Sequence, residues 1–300
     1  MGANLKEVRG RIKSVKSTQQ ITRAMKMVSA AKLRRAQDAI TQMRPYANKL
    51  NEMLTNILSN LEGDAATTFG IEREVKNVLI VIVTSNRGLA GAFNTNVIKK
   101  ALEAINTKYA SQRDGGSITV LPIGKKGNDA FRRNNPEITR IDEYVEAFSD
   151  LSFDNIGQIS QLIMDEFEAG KYDAVEVVYS RFKNAGIQFP EAVPFLPVVK
   201  QEDDTKEENT KSTKADYIFE PDKESLLEHL VPSILQTTFH KFLLDTHASE
   251  HGARMTAMDK ATENAEEMVR DLKIIYNKAR QEAITKEISE IVGGAAALGG

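Results

Sequence analysis

Residues 1–35 read MGANLKEVRGRIKSVKSTQQITRAMKMVSAAKLRR, and how that stretch folds decides the architecture. It carries ten Lys or Arg against one acid, Glu7, although the 300-residue chain has a formal net charge of −2. Apolar residues recur through it at helical spacing: Leu5, Val8, Ile12 and Val15, then Ile21, Ala24, Val28 and Ala31. Such spacing predicts a long amphipathic helix. Beyond residue 35 the repeat continues through Ile40, Met43, Ala47, Leu50, Leu54, Ile57 and Leu61 in alternating steps of three and four. That is the 3.5-residue period of a coiled-coil seam. Pro45 interrupts the backbone donors but not the phase, which predicts a bend rather than a break.

The other end of the chain reads in the same way. After Pro232 no further proline occurs, and the apolar positions include Leu235, Phe239, Phe242, Met258, Ala261, Met268, Leu272, Ile275, Ala279, Ile288 and Ile291. Each terminal helix would be roughly 85–90 Å long at 1.5 Å per residue. A compact globule of this chain length is only about 50 Å across. The two helices are therefore expected to project and to pair antiparallel with each other.

The middle changes period. KNVLIVIVTSNRG is a Val/Ile-rich run that reads as a strand buried on both faces. Helical and extended patterns then alternate through NTNVIKKALEAINTKY, SITVLPIG, KGNDAFRRN, ITRI, LSFDNIGQISQLIMDEFEAG and YDAVEVVYSRF. This order predicts an α/β (Rossmann-like) domain with a largely parallel sheet, closed by GIQFPEAVPFLPVV and ADYIFEP as antiparallel pieces. The expected layout is a helix over 1–62, an α/β domain over 75–220 and a returning helix over 222–300 that pairs with the first. QEDDTKEENTKSTK, around 201–214, contains no apolar residue and is expected to be a solvated loop.

Composition limits the chemistry. With no Cys there is no disulfide, thiolate nucleophile or thiolate metal site, and a reducing compartment suits the chain. No stretch of eighteen apolar residues is present to cross a bilayer. The basic start resembles a transit peptide in composition, but its seam runs on without a break, so it is read as part of the mature fold. TSNRGLAGAFN invites a phosphate-binding reading at Gly88 and Gly91, yet neither G-x-G-x-x-G nor G-x-x-x-x-G-K-[ST] is met, and close packing explains glycines there as well. HASEH at 247–251 fits H-x-x-E-H, with His247 and His251 as candidate metal ligands and Glu250 as candidate base. It lies inside the long helix without a visible third ligand. No cofactor or metal is expected.

One segment is more specific. ARQEAITKEISEIVGGAAAL, from Ala279 to Leu298, resembles the C-terminal signature of the gamma subunit of F-type ATP synthases, with Thr285, Glu287, Glu290, Gly294 and Ala295 at that pattern's spacing. KEVRGRIKSVKSTQQITRAMKMVSAAKLRRA, MRPYA, TSNRGLAGAFNTNV, SEHGARMTAMDKAT and YNKARQ resemble further motifs of that family in the same order. The resemblance covers essentially the whole chain and implies a coiled coil of the two chain ends with an α/β domain inserted. It implies a non-catalytic central rotor shaft, one copy per complex. The partners it implies are the alpha and beta subunits, epsilon and the membrane c ring, without nucleic acid or a direct small-molecule substrate. The implied place is the cytoplasmic side of a bacterial inner membrane, as a peripheral protein. Contacts to beta carried over from the family fall on Met25, Lys26, Arg254, Arg280, Gln281, Thr285 and Glu287. A rival reading of the basic end is a nucleic-acid-binding coiled coil; it predicts a uniformly basic pair, whereas 249–290 is mixed in charge.

Overall fold

A strand that is apolar at every position needs cover on both faces, and VLIVIV obtains it. The computed structural model describes residues 5–59, 68–70, 73–198 and 223–298, without the side chains of 44, 48, 51, 52, 54–59, 223–229 and 296–298. The loop 201–214, the ADYIFEP segment and Leu61 lie outside the described residues. The chain divides into two compact units, 31–253 and 1–30 with 254–300.

In the first unit β1 (Val78–Val83) has every side chain buried. It pairs in parallel with β2 (Ile118–Ile123) and β4 (Ala174–Phe182). β3 (Thr139–Arg140) extends the parallel set beside β2, and β5 (Gln188–Leu196) returns antiparallel on β4, giving the order β3-β2-β1-β4-β5. Val97, Ala101 and Ile105 of α2 (Phe93–Thr107) cover one face with Phe131 of α4 (Lys125–Asn134); α3 (Ala110–Asp114) follows α2 in the chain. The other face is covered by Ile156, Ile159, Ile163 and Phe167 of α5 (Phe153–Glu168) and by Val231, Leu235, Phe239, Phe242 and Leu243 of α6 (Lys223–Leu298).

α6 begins ahead of a proline. Pro232 sits inside the helix. A proline inside a helix costs about 3 kcal/mol. Burying Val231, Ile234 and Leu235 beside it contributes roughly 1.5–3 kcal/mol each and outweighs that cost.

One charge is buried in the sheet. Glu176 of β4 is 2% exposed; it accepts the Tyr109 hydroxyl at 2.7 Å and the Lys108 ammonium at 2.7 Å. The ion pair and hydroxyl together offset the desolvation of the carboxylate.

α1 (Leu5–Ser59) runs unbroken through Pro45. Its inward positions are Leu5, Val8, Ile12, Val15, Gln19, Thr22, Lys26, Ser29, Leu33, Ala36, Ile40, Met43, Ala47 and Leu50, each buried or half-buried. The step of three and four never falters, but between Val15 and Leu33 it lands on polar residues. Ile21 and Val28, expected in the seam, face solvent. In the unit formed by 1–30 and 254–300, the returning helix buries Met258, Ala265, Val269 and Ala279, while Met268 and Ile275, also expected inside, are exposed. The correction has one cause: an apolar residue was preferred to the correct phase. Polar seam residues find partners across the pair. The Thr22 and Thr262 hydroxyls meet at 2.7 Å, and Lys26 Nζ lies 2.5 Å from Asp259 Oδ1. Nearer the chain start, Arg9 donates to Tyr276 Oη at 2.8 Å.

Two expected outcomes follow from these contacts. Lys26→Glu sets two half-exposed carboxylates together and lowers thermal stability by about 0.5–1 kcal/mol at low salt, less at high salt. Adding Asp259→Lys restores it; melts of the four variants at two ionic strengths check this, and no recovery in the double variant removes the pair from the seam. At alkaline pH, burial chiefly, and then the hydrogen bond to Glu176, raises the Tyr109 pKa, while burial and the charge of Glu191 raise that of Tyr179. A phenol whose folded pKa is raised stabilises the fold below its unfolded pKa of about 10 and loses that contribution as pH climbs above it. Stability should fall above about pH 10, by up to ~1.4 kcal/mol per pH unit for each of the two. Absorbance of tyrosinate during the titration should show these two ionising only on unfolding.

Candidate functional site

The end of β1 is the first place to look, because α2, which follows β1, and α5, which leads into its neighbour β4, cover opposite faces of the sheet. Such a switch point is where doubly wound sheets bind ligands. Here the donors are already used. The first amides of α4 are taken in turn: Lys125 donates to Asn86 Oδ1 at 3.1 Å, Lys126 to the Ser85 carbonyl at 3.1 Å, and Gly127 to Thr84 Oγ1 at 2.8 Å. Ser85 is held in turn by Asn94, whose Oδ1 accepts its amide at 3.0 Å. The helix start that could cradle a phosphate instead cradles the TSN turn. The glycines that permit it are not those of the turn. A Cβ on Gly127 would lie 2.9 Å from Thr84 Oγ1 and 3.2 Å from its Cγ2, while one on Gly88 meets nothing nearer than Lys126 Cε at 3.9 Å.

The HASEH segment is likewise drawn into packing. His247 and His251 face each other with Nε2 atoms 3.1 Å apart, and Phe148 sets its ring edge-on to His247 at 5.9 Å. Glu250 and His251 are buried. Among the described residues no group of three His, Cys, Asp or Glu is placed to hold a metal ion.

The surface left uncommitted lies at the end of α6. Ala279 is its last buried residue among those described, and every described side chain from Arg280 to Ala295 is exposed. Four of them are large and apolar: Ile284, Ile288, Ile291 and Val292, the last two 66% and 63% exposed. Ile21, Met27, Val28, Met268, Ile274 and Ile275 add outward apolar side chains within the same unit. At about 100° per residue, Arg280, Ile284, Glu287 and Ile291 share one face of the helix, and Gln281, Thr285, Ile288 and Val292 the next. Cationic, amide, hydroxyl and carboxylate groups are thus interleaved with isoleucines. Such a face suits a partner with both apolar and polar groups.

The residues carried over from the family separate into two sets. Arg280, Gln281, Thr285 and Glu287 come together on this exposed end. The other three do not join them: Met25 is half-buried, Lys26 is paired with Asp259, and Arg254 is only 7% exposed. Sequence reasoning missed that Ile21 and Val28 are surface residues. The signal was present, since the three-four step carried on from Val15 reaches Leu33 without touching either.

Gly127→Ala tests the packing at the β1 turn. The new methyl overpacks against Thr84 and should cost about 1–3 kcal/mol, whereas Gly88→Ala should stay within about 0.5 kcal/mol of the parent. Chemical denaturation of the two variants compares them; equal stabilities would mean that Thr84 yields.

Comparison with known proteins places these features in a family. The family model described as ATP synthase matches residues 4–298. The chain is 52% identical over 295 residues to the ATP synthase gamma chain of Cytophaga hutchinsonii, covering 98% of this chain and 99% of that one. It is 53% identical over 298 residues to that of Flavobacterium psychrophilum, covering 99% and 100%. Among solved structures, a chain of the Euglena gracilis mitochondrial ATP synthase rotor superposes with a TM-score of 0.58 at 22% identity, covering 93% of this chain and 98% of that one. A chain in the OSCP/F1/c-ring structure of the same enzyme gives 0.61 at 21%, covering 98% and 94%. The fold is shared with those chains, and by its full-length kinship to the bacterial proteins this chain belongs to the ATP synthase gamma-chain family.

Proposed function

We propose that this chain is the central rotor shaft of an F-type ATP synthase, turning within a head of alpha and beta subunits while its α/β part rests with epsilon on the membrane c ring. The subunit does no bond chemistry itself. It converts ion-driven rotation into successive conformations of the beta sites, and the reverse during hydrolysis. In this reading the ends 1–62 and 222–300 form the shaft, 75–220 forms the foot, and the protein is peripheral on the cytoplasmic side of a bacterial membrane. None of the described helices is long and apolar enough to cross a bilayer, which accords with a peripheral place.

The observation that carries the reading is the solitary end of α6. Each of its exposed isoleucines forgoes roughly 1.5–3 kcal/mol of burial, and helix 280–295 has no neighbour among the described residues to cover them. A sleeve built by other subunits would cover all sides at once. Kinship over the full chain to ATP synthase gamma chains supports reading that sleeve as the alpha and beta subunits and does not favour the nucleic-acid alternative. Lys26 and Arg254 then act chiefly within the shaft, while Arg280, Gln281, Thr285 and Glu287 meet the beta subunits.

Isolation of the chain from native membranes should bring alpha and beta subunits with it; their absence would sink the proposal. Within that complex, Arg280→Ala with Gln281→Ala should lower both ATP synthesis and ATP hydrolysis several-fold. A charge-assisted hydrogen bond contributes ~1.5–3 kcal/mol, enough to bias one rotary dwell. Helix content should hardly change, because Ala is the best helix former. Nucleotide binding to isolated beta subunits is the negative control. Normal assembly with wild-type rates would make these two residues plain solvated surface.

A further inference from the structure

Within the unit 31–253, α6 lies on the sheet through Leu235, Phe239, Phe242 and Leu243. Apolar packing of this kind resists separation but is not directional, so by itself it holds the roll of a helix about its own axis only weakly. Directional contacts lie both beside and within the apolar stripe. On one flank His240 Nε2 donates to the Leu151 carbonyl at 2.9 Å, and His247 stacks edge-on with Phe148. Thr246, within the stripe, and Ser249, at its far edge, grip a single residue of β4. Thr246 Oγ1 accepts the Ser180 amide at 3.3 Å, and Ser249 Oγ donates to the Ser180 carbonyl at 2.9 Å. All three residues are buried. By helical geometry Thr246 and Ser249 lie about 100° and 160° round the axis from His247.

Ser180 is available for this grip because of the register. The last β4 residue paired with β1 is Val178, opposite Ile82, so Ser180 lies two residues beyond the ladder on that side. Its facing residue on β5 is Pro190, which has no amide to offer. Two hydroxyls of α6 therefore supply the partners that a strand would have supplied. One helical turn further on, Gly252 lets the β4–β5 turn close on the helix: a Cβ there would lie 3.1 Å from Ala185 Cα and 3.4 Å from Phe182 Cε2.

We propose that the Thr246–Ser180–Ser249 clasp, closed by Gly252 on Ala185, is a rotational key. It fixes the angle of α6 about its own axis against the sheet, so that torque entering the foot reaches the shaft without roll. The inference rests on the rotary reading above. α6 is the element that leaves the sheet and continues as the shaft helix, so a twist applied to the sheet must pass into it. The two hydrogen bonds shear as soon as the helix rolls, whereas the aromatic stripe can slide to a neighbouring packing.

The test uses the whole complex carrying Thr246→Val with Ser249→Ala, which removes both hydrogen bonds and keeps nearly the same volume. Hydrogen exchange at the Ser180 amide reports whether the clasp has opened. The expected result is faster exchange at Ser180, unchanged assembly, and about a threefold fall in protons pumped per ATP hydrolysed. Thr246→Ser, which keeps the acceptor, should restore most of the ratio when it replaces Thr246→Val. A merely structural role would lower assembly and leave the ratio of the assembled complex intact, and that outcome overturns the key. So does a wild-type ratio with Ser180 open, or an amide that stays protected. Should the wild-type complex itself lack this chain or show no coupling, the rotary reading fails and not just the key.

Discussion

Burial along α6 is the constraint from which the rest of the molecule follows. A helix of 76 residues must find cover for each turn or leave that turn in water. From Val231 to Leu243 the cover is the sheet, whose core includes Phe239 and Phe242. From Met258 to Ala279 it is α1, met through a seam of one residue every three or four. After Ala279 no cover remains among the described residues. The three stretches differ in sequence as their surroundings demand: aromatic against a flat sheet, small and aliphatic in a coiled-coil seam, and isoleucine mixed with charge where a partner is wanted. The near-zero net charge hides this division of labour, because the basic first helix and the acidic residues elsewhere cancel only in the total.

The polar middle of the seam shows what stability is given up for. Gln19, Thr22, Lys26 and Ser29 occupy four consecutive inward positions. Leucines there would bury more apolar surface, but an unbroken leucine seam would also fit after sliding by one heptad. A threonine hydroxyl that meets another threonine, and a lysine that meets an aspartate, do so in one register only. The gain per contact is small, since both members of the ion pair are about two-fifths exposed. On slipping, the Thr22 hydroxyl would keep the Gln19 carbonyl of its own helix but lose Thr262 across the pair. Two helices that must transmit a load need a fixed register more than they need the last increment of stability.

Much of this fold was legible in the sequence, and the misreadings share a physical root. VLIVIV announced a strand covered on both faces, and the order of strands and helices in the middle segment was recovered because each period persists for several residues. The seam from Leu33 to Leu50 was legible for the same reason. Between residues 19 and 29 hydrophobicity and phase disagree, and phase prevails, because a rigid helix cannot turn single residues inward. Pro232 does not end the helix, because the tertiary contacts of Val231 and Leu235 outweigh the local cost of one donor. At the candidate site, Arg280 to Glu287 came from family resemblance alone. No periodicity distinguishes a helix that waits for an outside partner from one that has a partner inside.

The same sheet explains why a nucleotide-like fold can serve a mechanical part. A doubly wound sheet leaves unsatisfied groups beyond the carboxyl ends of its strands, and enzymes of this architecture spend those groups on ligands. In this chain they are spent internally. The amides that open α4 close on Thr84, Ser85 and Asn86, and the backbone of Ser180 closes on α6. Each hydrogen bond that would have held a phosphate now ties one element of the body to another. A ligand-binding crevice must stay open to exchange its occupant, whereas a body that carries torque benefits when the crevice is sealed. The glycines mark the difference. In a phosphate loop they let an anion approach the backbone; here Gly127 and Gly252 admit Thr84 and Ala185, residues of the chain itself.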